Sequence, residues 1–175
     1  MSSRYAAGQT ALVIAVGAAE PVVGAVRAKH DPTVAYGIVP HVTVMHPFLP
    51  AADIDDETRA ELARVFASVD AFDATFARCG RFPGLVYLAP EPAGPFRALT
   101  AAITERWPTI VAYEGKYGDP EPHMSVAFTK DDAVAAGVCA ELEPALPFAT
   151  RVERAELVAF NGSAWESAGV FPLGG

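Results

Sequence analysis

Two stretches of this chain carry a histidine and a hydroxyl residue in the same arrangement: Pro40-His41-Val42-Thr43-Val44 and Pro122-His123-Met124-Ser125-Val126. In an extended strand, residues two apart share a face. His41 and Thr43 therefore point one way and Val42 and Val44 the other, while His123 and Ser125 share a face opposite Met124 and Val126. Each strand thus offers an apolar face to a core and a histidine-plus-hydroxyl face to something polar. If the two strands meet about an approximate twofold axis, two imidazoles and two hydroxyls converge on one cleft. That set suits a phosphate diester. An imidazole with a pKa of about 6.5 can take a proton as the neutral ring and give one as imidazolium. Such assistance is worth about 10²–10⁴-fold in rate. His41 and His123 are the expected acid and base, in an order the sequence leaves open. Thr43 and Ser125 are the expected phosphate binders, steadying charge on the non-bridging oxygens. The chemistry asks for no metal and no cofactor.

The elements that must position these groups follow from pattern. Leu12 to Val16 is a short, β-branched run that reads as a buried strand, and Glu20 to His30 has helical composition with Pro21 in its first turn. Asp31-Pro32 breaks that helix, and His41 to His46 is the next strand. Asp53 to Val69 reads as a helix capped by Asp53, and Phe72 to Arg78 alternates as a half-exposed strand. Gly84 to Ala89, a helix over Pro95 to Trp107, a strand over His123 to Phe128 and a helix over Asp131 to Leu142 introduced by Thr129 come next. Phe148 to Val152 and Ala155 to Phe160 close the series, and the apolar Trp165 to Leu173 segment docks. The order is β-α-β-α-β twice over, which points to an internal duplication. Its first copy spans about 10–80, its second about 83–160 and its docking tail 161–175, all within a single 1–175 domain.

Paired His-x-Ser/Thr-x motifs about half a chain apart resemble the 2H phosphoesterase superfamily, in particular its bacterial 2′-5′ RNA ligase-like, cyclic phosphodiesterase branch. The resemblance rests on His41-Val42-Thr43-Val44 and His123-Met124-Ser125-Val126, each preceded by proline. Arg81-Phe82-Pro83, Tyr87-Leu88-Ala89-Pro90 and Phe171-Pro172-Leu173-Gly174 extend it over nearly the whole chain. It implies a bilobal α+β fold whose antiparallel sheets face each other across a central cleft. It also implies hydrolysis of a 2′,3′-cyclic phosphate or related small nucleotide diester. The alternatives are 2′-5′ joining or cleavage of RNA ends, and a non-catalytic nucleotide-binding module that keeps the site as a receptor.

Composition narrows the partners. The formal net charge is −8 with only 13 Lys and Arg among 175 residues, none in a run. Proteins that grip long nucleic acid neutralise phosphates with a basic stripe, so a small nucleotide or oligonucleotide end is the expected partner. The apolar run Ala11 to Ala19 is too short to cross a bilayer, and Glu20 follows it directly. No membrane partner is expected. Cys79 and Cys139 lie far apart outside any CxxC pattern, which reads as two reduced thiols in a cytoplasmic protein. A monomer is expected.

Other residues carry weaker signals. The loop Tyr113 to Pro122 leads into His123 and should rim the cleft. Tyr113 or Tyr117 is placed there to stack on a base and Lys116 to meet phosphate, with Tyr36 in the comparable position before His41. His46, five residues past His41, falls on the opposite face of an ideal strand, so the pair makes a poor metal site. His30 reads as a surface residue at a helix end, and Trp165 as a core anchor.

Overall fold

The computed structural model describes residues 4–116, 118 and 121–175. Its strands are β1 (Thr10–Ala15), β2 (His41–Met45), β3 (Phe72–Phe82), β4 (Leu85–Glu91), β5 (Met124–Phe128), β6 (Phe148–Val152), β7 (Arg154–Phe160) and β8 (Trp165–Pro172). The helices are α1 (Glu20–His30), α2 (Asp56–Ala67), α3 (Gly94–Arg106) and α4 (Asp132–Leu142). The fold is α+β. Two four-stranded antiparallel sheets form, ordered β2-β1-β7-β8 and β5-β4-β3-β6. The two orders map onto each other: β2 answers β5, β1 answers β4 and β7 answers β3. The motif strands β2 and β5 hold the same edge position in each sheet and pack against one another.

Strands and helices are exchanged between the sheets. β3 leaves the sheet of β1 and β2 to pair with β4, while β7 leaves β6 to pair with β1. α1 packs on β5 and α3 on β2, so each motif strand is backed by a helix from the other half of the chain. One apolar cluster runs through both sheets and all four helices, with Leu12, Val42, Phe66, Phe76, Leu99, Ile103, Met124 and Leu142 all but inaccessible. A smaller cluster of Ala11, Val13, Val158, Phe160 and Trp165 covers the other face of β1, with Tyr5, Tyr36 and Ile38 packed on it. Trp165 is an anchor, as its sequence position implied.

Several boundaries move, for local reasons. α2 is capped by Asp55, whose side chain accepts from the Thr58 N–H at 2.8 Å, because Ala51–Asp53 forms a separate 3-10 turn. α4 is capped by Asp131, which accepts from Ala133 and Val134, while Thr129 accepts from the Asp131 N–H. The Trp165–Pro172 segment is a full strand paired with β7. Its burial does not alternate cleanly, which hid its period.

The cysteine reading is overturned: Cys79 on β3 and Cys139 on α4 form a disulfide, with Cα atoms 5.7 Å apart and a sequence separation of 60. Spacing rules see only neighbours in the chain, whereas this pair is brought together when α4 packs on β3. The free-thiol argument for a reducing compartment goes with it. No helix among the described residues is long and apolar enough to cross a membrane.

Candidate active site

In β2 the burial alternates as the chemistry needs: Val42 and Val44 are inaccessible, while His41 and Thr43 are partly exposed. In β5 and the residue before it, Met124 and Val126 are inaccessible and His123 and Ser125 partly exposed. The same irregularity interrupts both strands at the same place. Against β1 the pairing passes from Thr43↔Val13 to Met45↔Leu12, leaving Val44 extra. Against β4 it passes from Ser125↔Tyr87 to Ala127↔Val86, leaving Val126 extra. A bulge adds one residue and reverses the facing of everything beyond it. It explains why Val44 and Met45, and likewise Val126 and Ala127, are buried in succession. It also corrects the placing of His46, which does not end on the far side but lines the same cavity as Thr43.

The two imidazoles are held alike. His41 Nδ1 lies 2.8 Å from the Val39 carbonyl oxygen, and His123 Nδ1 lies 2.8 Å from that of Glu121. A carbonyl oxygen only accepts, so Nδ1 carries the proton in each ring and Nε2 is left for the cleft. In both motifs the acceptor is two residues before the histidine.

Each acceptor loop is itself tethered by an arginine from the preceding helix. Arg27 pairs with Asp31 at 3.0 Å and donates to the Ile38 carbonyl at 2.8 Å, one residue before Val39. Asp31 in turn accepts from the Thr33 backbone N–H and hydroxyl. Arg27 and Asp31 are both buried, so each holds the other's charge away from solvent. On the other side Arg97 of α3 forms an exposed ion pair with Glu121, the residue whose carbonyl holds His123.

Electrostatics follow from these surroundings. Part of the His41 surface stays accessible, yet its walls crowd the ring, and that desolvation pushes its pKa down to about 4. The bond to Val39 opposes the shift, while the positive charges of Arg27 and His123 add to it. His123 is also lowered, by desolvation against the opposing bond to Glu121. His46 is lowered by burial.

Aromatic rings fix His123 from the side. Phe82 lies edge-on to it at 5.3 Å and Tyr87 at 5.7 Å, and those two rings stack on each other at 4.4 Å. Tyr87 fits because Gly80, its partner across the ladder, has no side chain: a Cβ there would sit 2.5 Å from the ring. Beside His123 and Thr43 opens a cavity of about 640 Å³, walled by α3, by His46 and Tyr113, and by Glu121 and Pro122.

The remaining sequence-picked residues divide. Tyr113 lines the cavity and packs its ring on His46 at 5.9 Å. Lys116 is exposed and lies 4.0 Å from Glu114. Tyr36 turns into the smaller cluster against Tyr5 and Phe160. Tyr117 lies outside the described residues. His30, in the last turn of α1, borders a shallow hollow lined by none of the four motif residues. Sequence reasoning gave no role to Arg27 or Arg97, and placed Phe82 and Tyr87 only in stretches that carry the family resemblance. Arg27 and Asp31 do stand at helical i,i+4 spacing, the only local hint of a pair.

The chain is thus a two-sheet α+β fold that sets a His-x-Ser/Thr strand at the matching edge of each sheet. Residues 15–164 match the model of the 2′-5′ RNA ligase superfamily, and the chain belongs to that family. Solved structures share the fold. E. coli LigT in apo form matches with a TM-score of 0.63 at 16% identity, covering 98% of this chain and 100% of that one. LigT complexed with 3′-AMP gives 0.62 at 16%, covering 96% and 99%. TT0787 of Thermus thermophilus gives 0.59 at 20%, covering 95% and 98%. No curated protein matches the chain in sequence.

Proposed function

We propose that this protein is a metal-independent phosphodiesterase that hydrolyses a 2′,3′-cyclic phosphate or a related small nucleotide diester by two-histidine acid–base catalysis. The observation that carries the reading is the matched pair of imidazoles, each with Nδ1 tied to a carbonyl two residues back and Nε2 left for the cleft. One neutral ring takes a proton from water while the other, as imidazolium, gives one to the departing oxygen. Thr43 and Ser125, on the same faces, donate to the non-bridging oxygens as charge builds on them. Tyr113 and Lys116 lie on the loop before His123 and contribute to substrate binding. Tyr36 acts there only indirectly, by packing the loop before His41. One chain carries all four motif groups, so a monomer suffices.

A small substrate agrees with the net charge of −8 and with the crystallised complexes of LigT with 3′-AMP, NADP+, phosphate and ATP. The experiment is turnover of 2′,3′-cyclic nucleotides in excess EDTA by wild type, His41→Ala and His123→Ala. Hydrolysis by wild type and a loss of about 10² or more in each variant is expected. An inactive wild type, or a variant as active as wild type, would discard the reading.

A further inference from the structure

Each motif is followed, just past its bulge, by a third residue on the face of the histidine and the hydroxyl. In the first half it is His46 and in the second Phe128, each at the fifth position after its histidine. Ser125 pairs with Tyr87 and Phe128 with Leu85. Tyr87 and Leu85 are two apart on β4, so Phe128 shares the face of Ser125 and lies roughly 7 Å further along it. The second half therefore has an apolar ring where the first has an imidazole.

A cation covers that ring. The Arg4 guanidinium carbon lies over Phe128, 5.2 Å from the ring centroid. Contact through a ring face engages the charge and uses none of the N–H donors. Among the described residues Arg4 forms no ion pair, whereas Arg27 is held by Asp31 and Arg97 by Glu121. Arg4 is exposed, yet its backbone is anchored in the other half of the molecule. Its N–H donates to the Tyr36 hydroxyl at 3.5 Å, and the following ring, Tyr5, packs on Tyr36 at 5.3 Å, Trp165 at 5.1 Å and His46 at 6.3 Å. Residues 4 and 5 thus reach from the aromatic cluster over β1 to β5, and set an unpaired guanidinium in line with His123 and Ser125.

We propose that Arg4 grips a second phosphate of the substrate, the 5′-phosphate of the nucleotide whose 2′,3′-phosphate lies between the histidines. The inference rests on the phosphodiesterase reading and narrows its substrate to nucleotides phosphorylated at both ends of the ribose, free or at the end of an oligonucleotide. The two phosphates of such a nucleotide stand one ribose apart, which is the scale of the step from Ser125 to Phe128. The guanidinium presents a fork of N–H donors to two phosphate oxygens, a charge-assisted contact that a neutral amide does not replace. Phe128 backs the group and keeps that fork turned to the substrate.

The test is calorimetric binding of 3′-AMP and adenosine 3′,5′-bisphosphate, which differ by that one phosphate and contain no diester to cleave. Wild type should bind the bisphosphate at least tenfold more tightly, and in Arg4→Gln the two affinities should come within twofold of each other. Arg4→Lys keeps the charge without the fork and should retain part of the preference. Added salt should shrink the preference in wild type. A role confined to packing would weaken both ligands alike. That result, equal affinities in wild type, or a preference that survives in Arg4→Gln would overturn the proposal. The dinucleotide ApAp, which has a diester in the 5′ place, separates the two sources: a matching gain extends the grip to oligonucleotide ends, and a gain with the bisphosphate alone confines it to free nucleotides. Turnover of 2′,3′-cyclic AMP is measured alongside. Its absence would remove the phosphodiesterase reading, while a bisphosphate preference lost in Arg4→Gln would still establish the grip.

Discussion

Replacing Gly80 by alanine puts one methyl group into the contact that steadies His123. The added Cβ would lie 2.5 Å from Tyr87 Cζ, 2.6 Å from its Oη and 2.8 Å from its Cε2. Carbon atoms at rest stand about 3.5–4.0 Å apart, so the ring or the strand must give by roughly 1 Å. Phe82, stacked on Tyr87 at 4.4 Å, closes one direction of escape, and both rings lean edge-on against His123. Overpacking of this kind costs about 1–3 kcal/mol. In a chain of this length each kcal/mol is worth roughly 2–4 °C of Tm. A catalytic group displaced by about 1 Å loses up to roughly 10²-fold in rate. Gly80→Ala should therefore lower both Tm and kcat/KM on a 2′,3′-cyclic nucleotide. The assay is a double-mutant cycle: in a Tyr87→Ala background the same substitution should cost little, because the clash partner is gone. Gly137→Ala is the control. A Cβ there meets nothing within 4 Å in mid-α4, and the change should stabilise by about 0.5–1 kcal/mol. Equal losses in both backgrounds, or a fully active Gly80→Ala, would refute the reasoning.

Three further predictions concern pH, the buried ion pair and the disulfide. The proposed mechanism needs one histidine neutral and the other protonated, and both pKa values are lowered. Thus kcat/KM should rise with pH through about 4, peak on the acid side and fall again below 6.5. The bound phosphate charge should move the kcat optimum upward; a kcat/KM profile still rising at pH 7 would contradict this. Arg27→Met strands the Asp31 carboxylate in the core and should cost about 3–5 kcal/mol in denaturant unfolding. Arg27→Met with Asp31→Leu should recover part of it. Reducing the Cys79–Cys139 bond, which closes a 60-residue separation, should lower stability by about 4 kcal/mol. Cys79→Ser should match that loss and become insensitive to reductant.

Much of the site was legible because its signal is local. A histidine and a hydroxyl two apart on a strand, repeated half a chain later, place four groups on two faces before any tertiary structure is known. The order of elements up to Phe160 could be read for the same reason. What escaped depends on contacts between distant segments. Neither the exchange of β3 and β7 between sheets nor the meeting of Cys79 with Cys139 leaves a mark in spacing. The bulges at Val44 and Val126 cannot be told from regular strand in an apolar run, and one of them is what carries His46 round to the cavity. Gly80 looks like any strand glycine until Tyr87 is opposite it. Arg27 reads as a charged helix residue, although it is buried and ties down the loop that holds His41.

The most direct test of two histidines acting on one phosphate is a crystal structure of the protein with a nucleoside 2′- or 3′-monophosphate. The account predicts phosphate oxygens within hydrogen-bonding distance of His41 Nε2, His123 Nε2 and the Thr43 and Ser125 hydroxyls together. A phosphate bound by one motif alone, or seated elsewhere on the protein, would contradict it.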